Sequence, residues 1–167
     1  MQSLPLDIRP AVAAALEANR PVVAMVSSPL SHTLPSPSNL EAARLVDDVV
    51  RQEGVTLAVI AVWKGRLTVG LEPREVEGLT QGTNVHRASR RDLAAAIFGG
   101  WDAGTTVSAT MYIAARAGIR LLITGAIGTA RPFVGKDTNM WDISSDLVEL
   151  SRTSVAVVCA GARSVSR

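Results

Sequence analysis

Residues 55–63, VTLAVIAVW, decide the fold class of this chain of 167 residues. Valine and isoleucine are frequent in the stretch, and such β-branched residues favour an extended strand. Both faces of the strand would be apolar, which is typical of a parallel sheet that helices cover on both sides. Three further runs have the same character and predict more strands of that sheet: residues 21–28 (PVVAMVSS), 119–125 (IRLLITG) and 154–161 (SVAVVCAG).

Segments with helical periodicity separate these strands. The predicted helices cover residues 7–19, the segment from Ser38 to Gly54, a short segment from Pro73, a segment capped by Ser89 and Asp92, residues 105–118 and residues 142–152. Residues 31–38 (SHTLPSPS) contain two prolines and predict a loop. Ser38 followed by Glu41 matches a capping box. In the helix that follows, we expect the apolar side chains to turn inward, namely Leu40, Ala43, Leu45, Val46, Val49 and Val50.

The alternation of strands and helices predicts an α/β fold, a three-layer α/β/α sandwich with a mostly parallel sheet. The length favours one domain over residues 1–167. Residues 64–65 (KG) predict a hairpin turn after the strand at 55–63. Ligands of such sheets bind beyond the carboxyl ends of the strands. The candidate site therefore consists of the loops after Ser28, Ser89, Gly125 and Gly161.

Composition excludes several classes of partner. The net charge is only +2, basic residues are dispersed and aromatic residues make up 4%, so neither a nucleic-acid groove nor a base-stacking surface is indicated. No apolar run approaches the roughly 20 residues of a membrane span. Cys159 is the only cysteine and the first residues lack a secretory pattern. We therefore expect a reducing, cytoplasmic location.

Two stretches offer groups that bind phosphate. In residues 103–110 (AGTTVSAT), Thr105 and Thr106 precede a helix whose free N-terminal amides suit a phosphate; alternatively, the threonines only cap that helix. In residues 87–92 (RASRRD), Arg87, Arg90 and Arg91 provide guanidinium groups that bind phosphate or carboxylate. A solvated, basic helix start is the other interpretation of the second stretch.

Acidic and imidazole side chains give two further candidates. Asp142 and Asp146 fall on one face of the helix predicted at 142–152 and would suit Mg²⁺ or Mn²⁺; helix capping is the alternative. His32 lies in a loop after a strand, a place for an acid, a base or a phosphate donor. An exposed loop histidine without a role is the alternative for His32.

Five stretches, taken in order, resemble the pseudouridine-5′-phosphate glycosidase family, also called indigoidine synthase A-like. They are PVVAMVSSPLSHTLPSPSN (21–39), NVHRASRRDL (84–93), AGTTVSATMYIAARAGIRLLITGAIG (103–128), WDISSDLVEL (141–150) and VAVVCAGARS (155–164). The resemblance extends over nearly all of this chain and over about the N-terminal half of a usual family member.

This resemblance implies reversible cleavage of the carbon–carbon glycosidic bond of pseudouridine 5′-phosphate into uracil and ribose 5-phosphate. It also implies a lysine that forms a Schiff base with the opened ribose, a glutamate that acts as general acid and a second lysine that binds the phosphate. An aspartate would hold a divalent metal, typically Mn²⁺, with Mg²⁺ as the alternative. No organic cofactor is implied.

The resemblance implies a glutamate and a lysine at the two positions that make and break bonds, but this chain has neither residue there. The glutamate position falls on Val26, which cannot transfer a proton. The nucleophile position falls on Arg163, whose guanidinium offers no free amine for an imine. Lys64 and Lys136 are the only lysines of the chain. Lys136 in the altered loop at 125–139, with Asp137 beside it, is a candidate replacement; an exposed loop lysine is the alternative.

The positions that the resemblance assigns to binding are better kept. The phosphate-binding lysine falls on Arg87, which retains the positive charge, and the metal-binding aspartate falls on Asp142. The substrate-contacting positions fall on Val107, Ser144, Ser145 and Asp146. Thr105 and Thr106 complete the set of candidate binding residues.

Three functional hypotheses follow. The first is a degenerate family member that binds a phosphorylated ribose or nucleotide-like ligand without cleaving it. The second is an active enzyme on a related phosphorylated nucleoside that uses Lys136 or a partner chain. The third is a structural half-subunit that assembles with a second half. Because the resemblance covers about half of the family's length, we also expect an exposed apolar face that a homo-oligomer would bury.

Overall fold

The computed structural model describes residues 5–132 and 141–163. Within these residues ten strands occur in the following order: β1 (Leu6–Ile8), β2 (Val22–Val26), β3 (Thr56–Trp63), β4 (Arg66–Val69), β5 (His86–Ala88), β6 (Ala103–Thr105), β7 (Leu121–Thr124), β8 (Ala130–Pro132), β9 (Trp141–Ile143) and β10 (Ala156–Cys159). The same part of the chain forms seven α-helices: α1 (Pro10–Glu17), α2 (Ser28–His32), α3 (Ser38–Gln52), α4 (Pro73–Gln81), α5 (Leu93–Phe98), α6 (Val107–Arg116) and α7 (Ser145–Leu150). A short 3₁₀ turn, Arg90–Asp92, leads into α5.

The main sheet is mixed and mostly parallel, as predicted. Its strands follow the order β1-β4-β3-β2-β7-β10, and β5 and β6 join it through the pairing of β6 with β3. Only the β3–β4 and β3–β6 pairs of this sheet are antiparallel among the described strands. The hairpin predicted at residues 64–65 is confirmed, because β3 and β4 pair from Trp63 and Arg66 onward. Strands β8 and β9 form a separate antiparallel pair.

Helices cover both faces of this sheet, which gives the predicted three layers. On one face α1, α5 and α6 bury side chains against the strands, including Val12, Leu93, Ile113 and the strand residues Ile60 and Leu122. On the other face α2, α3 and α4 bury a second cluster that contains Leu30, Ala43, Val59, Val76 and Leu79. The alternation of Ile60 and Val59 between the two clusters explains why the β3 sequence is apolar throughout.

A buried polar network lies where β2 ends and β6 takes its place beside β3. Val26 pairs with Ile60, and the next residue of β3 pairs with Gly104 of β6. At this junction the Ile60 carbonyl accepts hydrogen bonds from Ser27 Oγ and Thr105 Oγ1, each at 2.6 Å. Thr110 Oγ1 donates to Thr105 Oγ1 at 2.9 Å. The hydroxyls satisfy a carbonyl that would otherwise be costly to bury.

Four strands of three residues were not predicted, and one of them, β8, lies in the loop predicted at 125–139. The helix predicted at 7–19 begins only at Pro10, and β1 precedes it. The helix predicted at 105–118 begins at Val107, because Ala103–Thr105 form β6. The helix predicted at 142–152 begins at Ser145, because Trp141–Ile143 form β9. Segments this short depend on their pairing partners and carry no periodicity of their own.

Two expectations about the first third of the chain were wrong. The segment at 31–38 is not entirely loop, because α2 continues to His32. Helix α3 has no capping box: Pro37 is its N-cap residue and no side chain caps it. The box formed by Ser89 and Asp92 is confirmed, with the Ser89 N–H donating to the Asp92 carboxylate at 2.8 Å.

The exposed side of α3 differs from the expectation most clearly. Leu45 is 65% exposed and Val49 is 52% exposed, although both were predicted to turn inward. Helix α3 packs on the sheet through residues such as Ala43, and no described element covers its other apolar side. In the part of the chain that the structure describes, no helix is long and apolar enough to cross a membrane.

Candidate ligand-binding site

A cavity of about 700 Å³ opens beyond the carboxyl ends of β2 and β7. Val26 at the end of β2 and Thr124 at the end of β7 lie in its wall. The segment after β10 reaches it through Arg163, and β5 reaches it through Arg87. This is the position in which ligands bind to sheets of this type.

The structure brings most of the predicted site residues to this one cavity. Its wall includes the following candidates from the sequence: Val26, Arg87, Thr106, Val107, Ser144, Ser145, Asp146 and Arg163. Other candidates lie outside this wall. Thr105 is fully buried in the network below β2, His32 lies on α2, and Arg90, Arg91 and Asp142 line a different groove. Lys136 and Asp137 fall outside the described residues.

Hydrogen bonds position the two arginines of the wall in different ways: those of Arg163 involve its backbone, and that of Arg87 involves its side chain. The parallel bridge between Ile127 and Ala162 joins the loop after β7 to the segment after β10. The Arg163 N–H donates to the Ile127 carbonyl at 2.8 Å, and Thr129 Oγ1 donates to the Arg163 carbonyl at 3.0 Å. Arg87 extends from β5 and donates to Thr33 Oγ1 at 3.4 Å. Both guanidinium groups are exposed, so they are accessible to an anion.

Asp146 connects three segments of the wall. One carboxylate oxygen accepts the Ser108 N–H at 2.9 Å, and the other accepts the Gly128 N–H at 3.0 Å. Its own N–H donates to Ser144 Oγ at 3.2 Å, so Ser144 caps α7. The carboxylate thus occupies an amide at the N-terminus of α6, where its negative charge is favourable. Thr106 precedes α6, but its side chain does not cap the helix. Neither of the two predicted roles of the threonines, phosphate binding or capping, accounts for the contact of Asp146 with the Ser108 N–H.

His32 fixes the position of α2 relative to β5. Its Nε2 lies 3.1 Å from the Val85 carbonyl, which can only accept, so Nε2 carries the proton. Nδ1 then accepts from Ser31 Oγ at 2.7 Å. Partial burial of the ring lowers the pKa of His32, and the charge of Arg87 lowers it further, while the bond to Val85 opposes the shift. A neutral imidazole therefore anchors the segment that carries Thr33, the partner of Arg87.

The acidic pair proposed for a cation is separated in the structure. Asp142 lies on β9 and Asp146 begins α7, so the expectation that both share one helical face was wrong. Asp142 accepts a hydrogen bond from Arg131 Nε at 2.8 Å and lines a different groove, of about 1050 Å³. Residues 5–132 and 141–163 contain no group of three or more His, Cys, Asp or Glu side chains that would hold a metal.

Two glycines allow close contacts between segments at or near the cavity, and no such role was predicted for either from the sequence. Gly128 approaches α7 so closely that a Cβ at this position would collide with Ser144 Oγ. Gly104 allows α2 to lie against β6, where a Cβ would collide with Ser31 Oγ. The glycine-containing loop after β7 was noted in the sequence, but only the three-dimensional contacts show which glycine is required.

Comparison with known proteins identifies the family of this chain. The family model described as indigoidine synthase A like protein matches residues 11–166. The chain belongs to the indigoidine synthase A-like family. The resemblance found in the sequence is thereby confirmed, and solved structures of similar proteins share the fold.

The structure of the prealnumycin C-glycosynthase AlnA in complex with ribulose 5-phosphate is 36% identical with a TM-score of 0.83. It matches 100% of this chain and 53% of the AlnA chain. An indigoidine synthase A-like protein of Thermotoga maritima is 29% identical with a TM-score of 0.80, over 97% of this chain and 52% of that chain.

Curated relatives are more similar in sequence. The pseudouridine-5′-phosphate glycosidase of Hahella chejuensis is 48% identical over 161 residues, which are 96% of this chain and 52% of the relative. The enzyme of the same name from Roseobacter denitrificans is 46% identical over 165 residues, or 99% of this chain and 52% of the relative. This member of the indigoidine synthase A-like family thus spans about half the length of the relatives that it matches.

Proposed function

We propose that the cavity binds a phosphorylated pentose or a nucleotide-like ligand, and that this chain does not open the sugar through an imine at residue 163. The observation that carries the proposal is the presence of Arg87 and Arg163 in the wall of one cavity. The AlnA relative, whose complex contains ribulose 5-phosphate, supports the ligand class. Guanidinium groups bind phosphate oxygens in a fixed, often bidentate geometry.

At the polar end of the cavity, the arginines and the serines would contact different parts of the ligand. Arg87 and Arg163 would hold the phosphate, because the amide of Ser108 is already taken by Asp146. Ser144 and Ser145 line the same end and offer hydroxyls to the sugar. Asp146 keeps α7 and the loop after β7 in place, so it acts on the ligand through the groups that it positions.

We propose that this chain has lost the family's reaction, because the two positions that the resemblance assigns to bond making carry unsuitable residues. Val26 lies in the cavity wall, at the end of β2, and cannot act as an acid. The guanidinium of Arg163 offers no free amine from which an imine could form. The described lysine, Lys64, lies at the turn between β3 and β4 and not in the cavity wall.

A second candidate function is the formation or cleavage of a glycosidic bond in a related phosphorylated nucleoside, with Lys136 or a partner chain as nucleophile. The AlnA relative favours this alternative, because it is described as a C-glycosynthase. Manganese or magnesium held by Asp142 belongs to this alternative. Lys136 labelled by ribose 5-phosphate and borohydride would favour it over binding alone.

Isothermal titration with ribose 5-phosphate tests the proposed binding. We expect saturable binding to the wild-type chain, and affinities about 10- to 100-fold weaker in Arg87→Gln and Arg163→Gln, because each loses a charge-assisted contact. Arg20→Gln is the matched control, since Arg20 is exposed and lies outside the cavity wall. Absence of binding, or equal affinity in all four proteins, would overturn the proposal.

A further inference from the structure

The groove that Asp142 lines also contains four guanidinium groups, and we call it the arginine groove. They belong to Arg90, Arg91, Arg116 and Arg152. Two of them come from the motif at residues 87–92, of which the proposed function uses only Arg87. The four arginines lie on three separate parts of the sequence: the 3₁₀ turn before α5, the end of α6 and the segment after α7. They therefore meet only through the fold.

Contacts with α6 bring these segments together. The Arg90 N–H donates to Ser108 Oγ at 3.3 Å, and Ser108 Oγ lies 3.1 Å from Ser145 Oγ at the start of α7. The Cζ of Arg90 lies 3.5 Å from the centre of the Tyr112 ring, and the Cζ of Arg116 lies 4.8 Å from it. The face of an aromatic ring attracts guanidinium groups. Tyr112 thus holds two positive charges at one wall of the groove.

The acidic side chains of the arginine groove do not neutralise its arginines. Glu149 is almost fully buried, accepts a hydrogen bond from Thr153 Oγ1 and lies 3.8 Å from Arg90 Nε. Asp142, the other acid, pairs with Arg131, which does not line the groove. In the described part of the chain, three guanidinium groups of the groove have no carboxylate within ion-pair distance, namely those of Arg91, Arg116 and Arg152. The groove therefore has an excess of positive charge.

We propose that the arginine groove binds a small molecule with two adjacent phosphate groups, a diphosphate. Guanidinium groups bind phosphate oxygens in a fixed, often bidentate geometry. A cleft lined by one sign of charge also concentrates ions of the opposite sign. One phosphate monoester carries a charge of about −1.5 to −2, so three uncompensated arginines match two phosphate groups more closely than one. Ser154 lines the same groove and offers a hydroxyl to a phosphate oxygen.

The size of the groove favours a small molecule over a macromolecule. Its volume of about 1050 Å³ lies near the upper end of the roughly 300–1,000 Å³ that small-molecule pockets have. A nucleic acid requires an extended basic surface, which the net charge of +2 does not indicate. A dicarboxylate is the other small anion that guanidinium groups bind, but it carries only one charge on each acidic group. Comparison of a diphosphate with a dicarboxylate therefore tests the ligand class.

The arginine groove is a second site beside the cavity of the proposed function. Ser144 and Ser145 line both, so the two share a wall. Their arginines are nevertheless separate, because Arg87 and Arg163 line only the cavity and the four arginines of the groove do not line it. Binding of a diphosphate in the groove therefore does not depend on binding of a pentose phosphate in the cavity.

The test is isothermal titration with pyrophosphate in metal-free buffer, on the double variant Arg87→Gln/Arg163→Gln, which lacks the positive charges of the cavity. We expect saturable binding to this protein. A further Arg116→Gln or Arg152→Gln substitution should weaken the affinity about tenfold or more, because a charge-assisted contact is lost. Arg20→Gln on the same background is the matched control, since Arg20 is exposed and lines neither the cavity nor the groove.

Three results of this titration would overturn the proposal: no saturable binding of pyrophosphate, an affinity that neither groove substitution lowers, or succinate binding as tight as that of pyrophosphate. Chemical labelling gives a second measurement, since phenylglyoxal modifies accessible arginine side chains. Pyrophosphate should protect Arg91, Arg116 and Arg152 from phenylglyoxal and leave the labelling of Arg20 unchanged. Equal labelling of the groove with and without pyrophosphate would contradict the proposal.

A last titration separates this proposal from the proposed function. Ribose 5-phosphate should bind to Arg116→Gln/Arg152→Gln as tightly as to the wild-type chain, because these arginines lie outside the cavity. Loss of ribose 5-phosphate binding in this double variant would show that the groove and the cavity are one site, and would overturn the assignment of a second one.

Discussion

Asp146 at the start of α7 accepts the backbone N–H of Ser108 at the start of α6, at 2.9 Å. One carboxylate therefore joins two helix N-termini and, through Gly128, the loop after β7. Residues from three separate parts of the sequence meet at this group. The shape of the polar end of the cavity therefore depends on the Asp146 carboxylate more than on Thr105 or Thr106, the threonines that precede α6.

Asp146→Asn should lower the free energy of unfolding by about 1–2 kcal/mol, because it replaces charge-assisted hydrogen bonds by a neutral amide. Asp142→Asn is the control, since Asp142 makes an exposed ion pair with Arg131. It should change the same quantity by less than about 0.5 kcal/mol. Urea denaturation measures both. Equal destabilisation would show that Asp146 has no special place in the site.

Gly128→Ala should destabilise the protein by about 1–3 kcal/mol, because the added methyl group collides with Ser144 Oγ and forces the loop away from α7. Gly125→Ala is a matched control in the same loop, since nothing lies within 4 Å of the position of its Cβ. Thermal denaturation compares the two variants. A Gly128→Ala protein as stable as Gly125→Ala would contradict the close approach of loop and helix.

Arg87→Lys should bind ribose 5-phosphate within about tenfold of the wild-type affinity, while Arg87→Gln loses more. The lysine keeps the charge but not the planar fork of donors. Raising the ionic strength should weaken binding to both charged forms, because the arginines of the wall are exposed and salt screens them. Titration calorimetry at two salt concentrations measures this. If the affinity changes neither with the charge at residue 87 nor with the salt concentration, the arginines are excluded as the phosphate site.

His32 should make stability depend on pH in the mildly acidic range. Because burial and Arg87 lower the pKa of His32, the unfolded chain binds more protons than the folded chain below about pH 6.5. The free energy of unfolding should therefore fall as the pH drops through about 6.5, and the loss should level off below the pKa of the folded protein.

His32→Gln should reduce this dependence between about pH 7.5 and 5.5, a range in which unperturbed carboxylates remain ionised. Urea denaturation at several pH values provides the comparison. If the wild type and His32→Gln lose the same stability over that range, another group is responsible.

The sequence predicted the strands that are long and apolar, and β3 is the clearest case. Its pattern requires cover on both faces, and the two core clusters provide that cover. Strands β1, β6, β8 and β9 were missed because three residues are too few to show a periodicity. The exposure of Leu45 was missed for a different reason: a helical pattern shows which residues are apolar, but not whether a neighbouring layer exists to bury them.

The sequence predicted which residues form the candidate site better than it predicted the contacts that these residues make. The end of β2 and Arg163 after β10 meet because carboxyl ends of parallel strands share one edge. Arg87 reaches the same cavity from β5, which runs antiparallel to β2. The separation of Asp142 from Asp146 was not predictable, since it depends on where a short strand gives way to a helix. Asp146 was a candidate ligand group, and only the structure shows its two backbone donors.

The most direct measurement is borohydride trapping with ribose 5-phosphate, read by intact mass, on the wild-type chain and on Arg163→Lys. If residue 163 reaches the carbonyl carbon of the open sugar as well as its phosphate, and lacks only the reactive amine, Arg163→Lys should gain the mass of a reduced sugar adduct, mapped to residue 163. The wild type should gain none. An adduct on the wild-type chain at Lys136, or no adduct on either protein, would contradict the account.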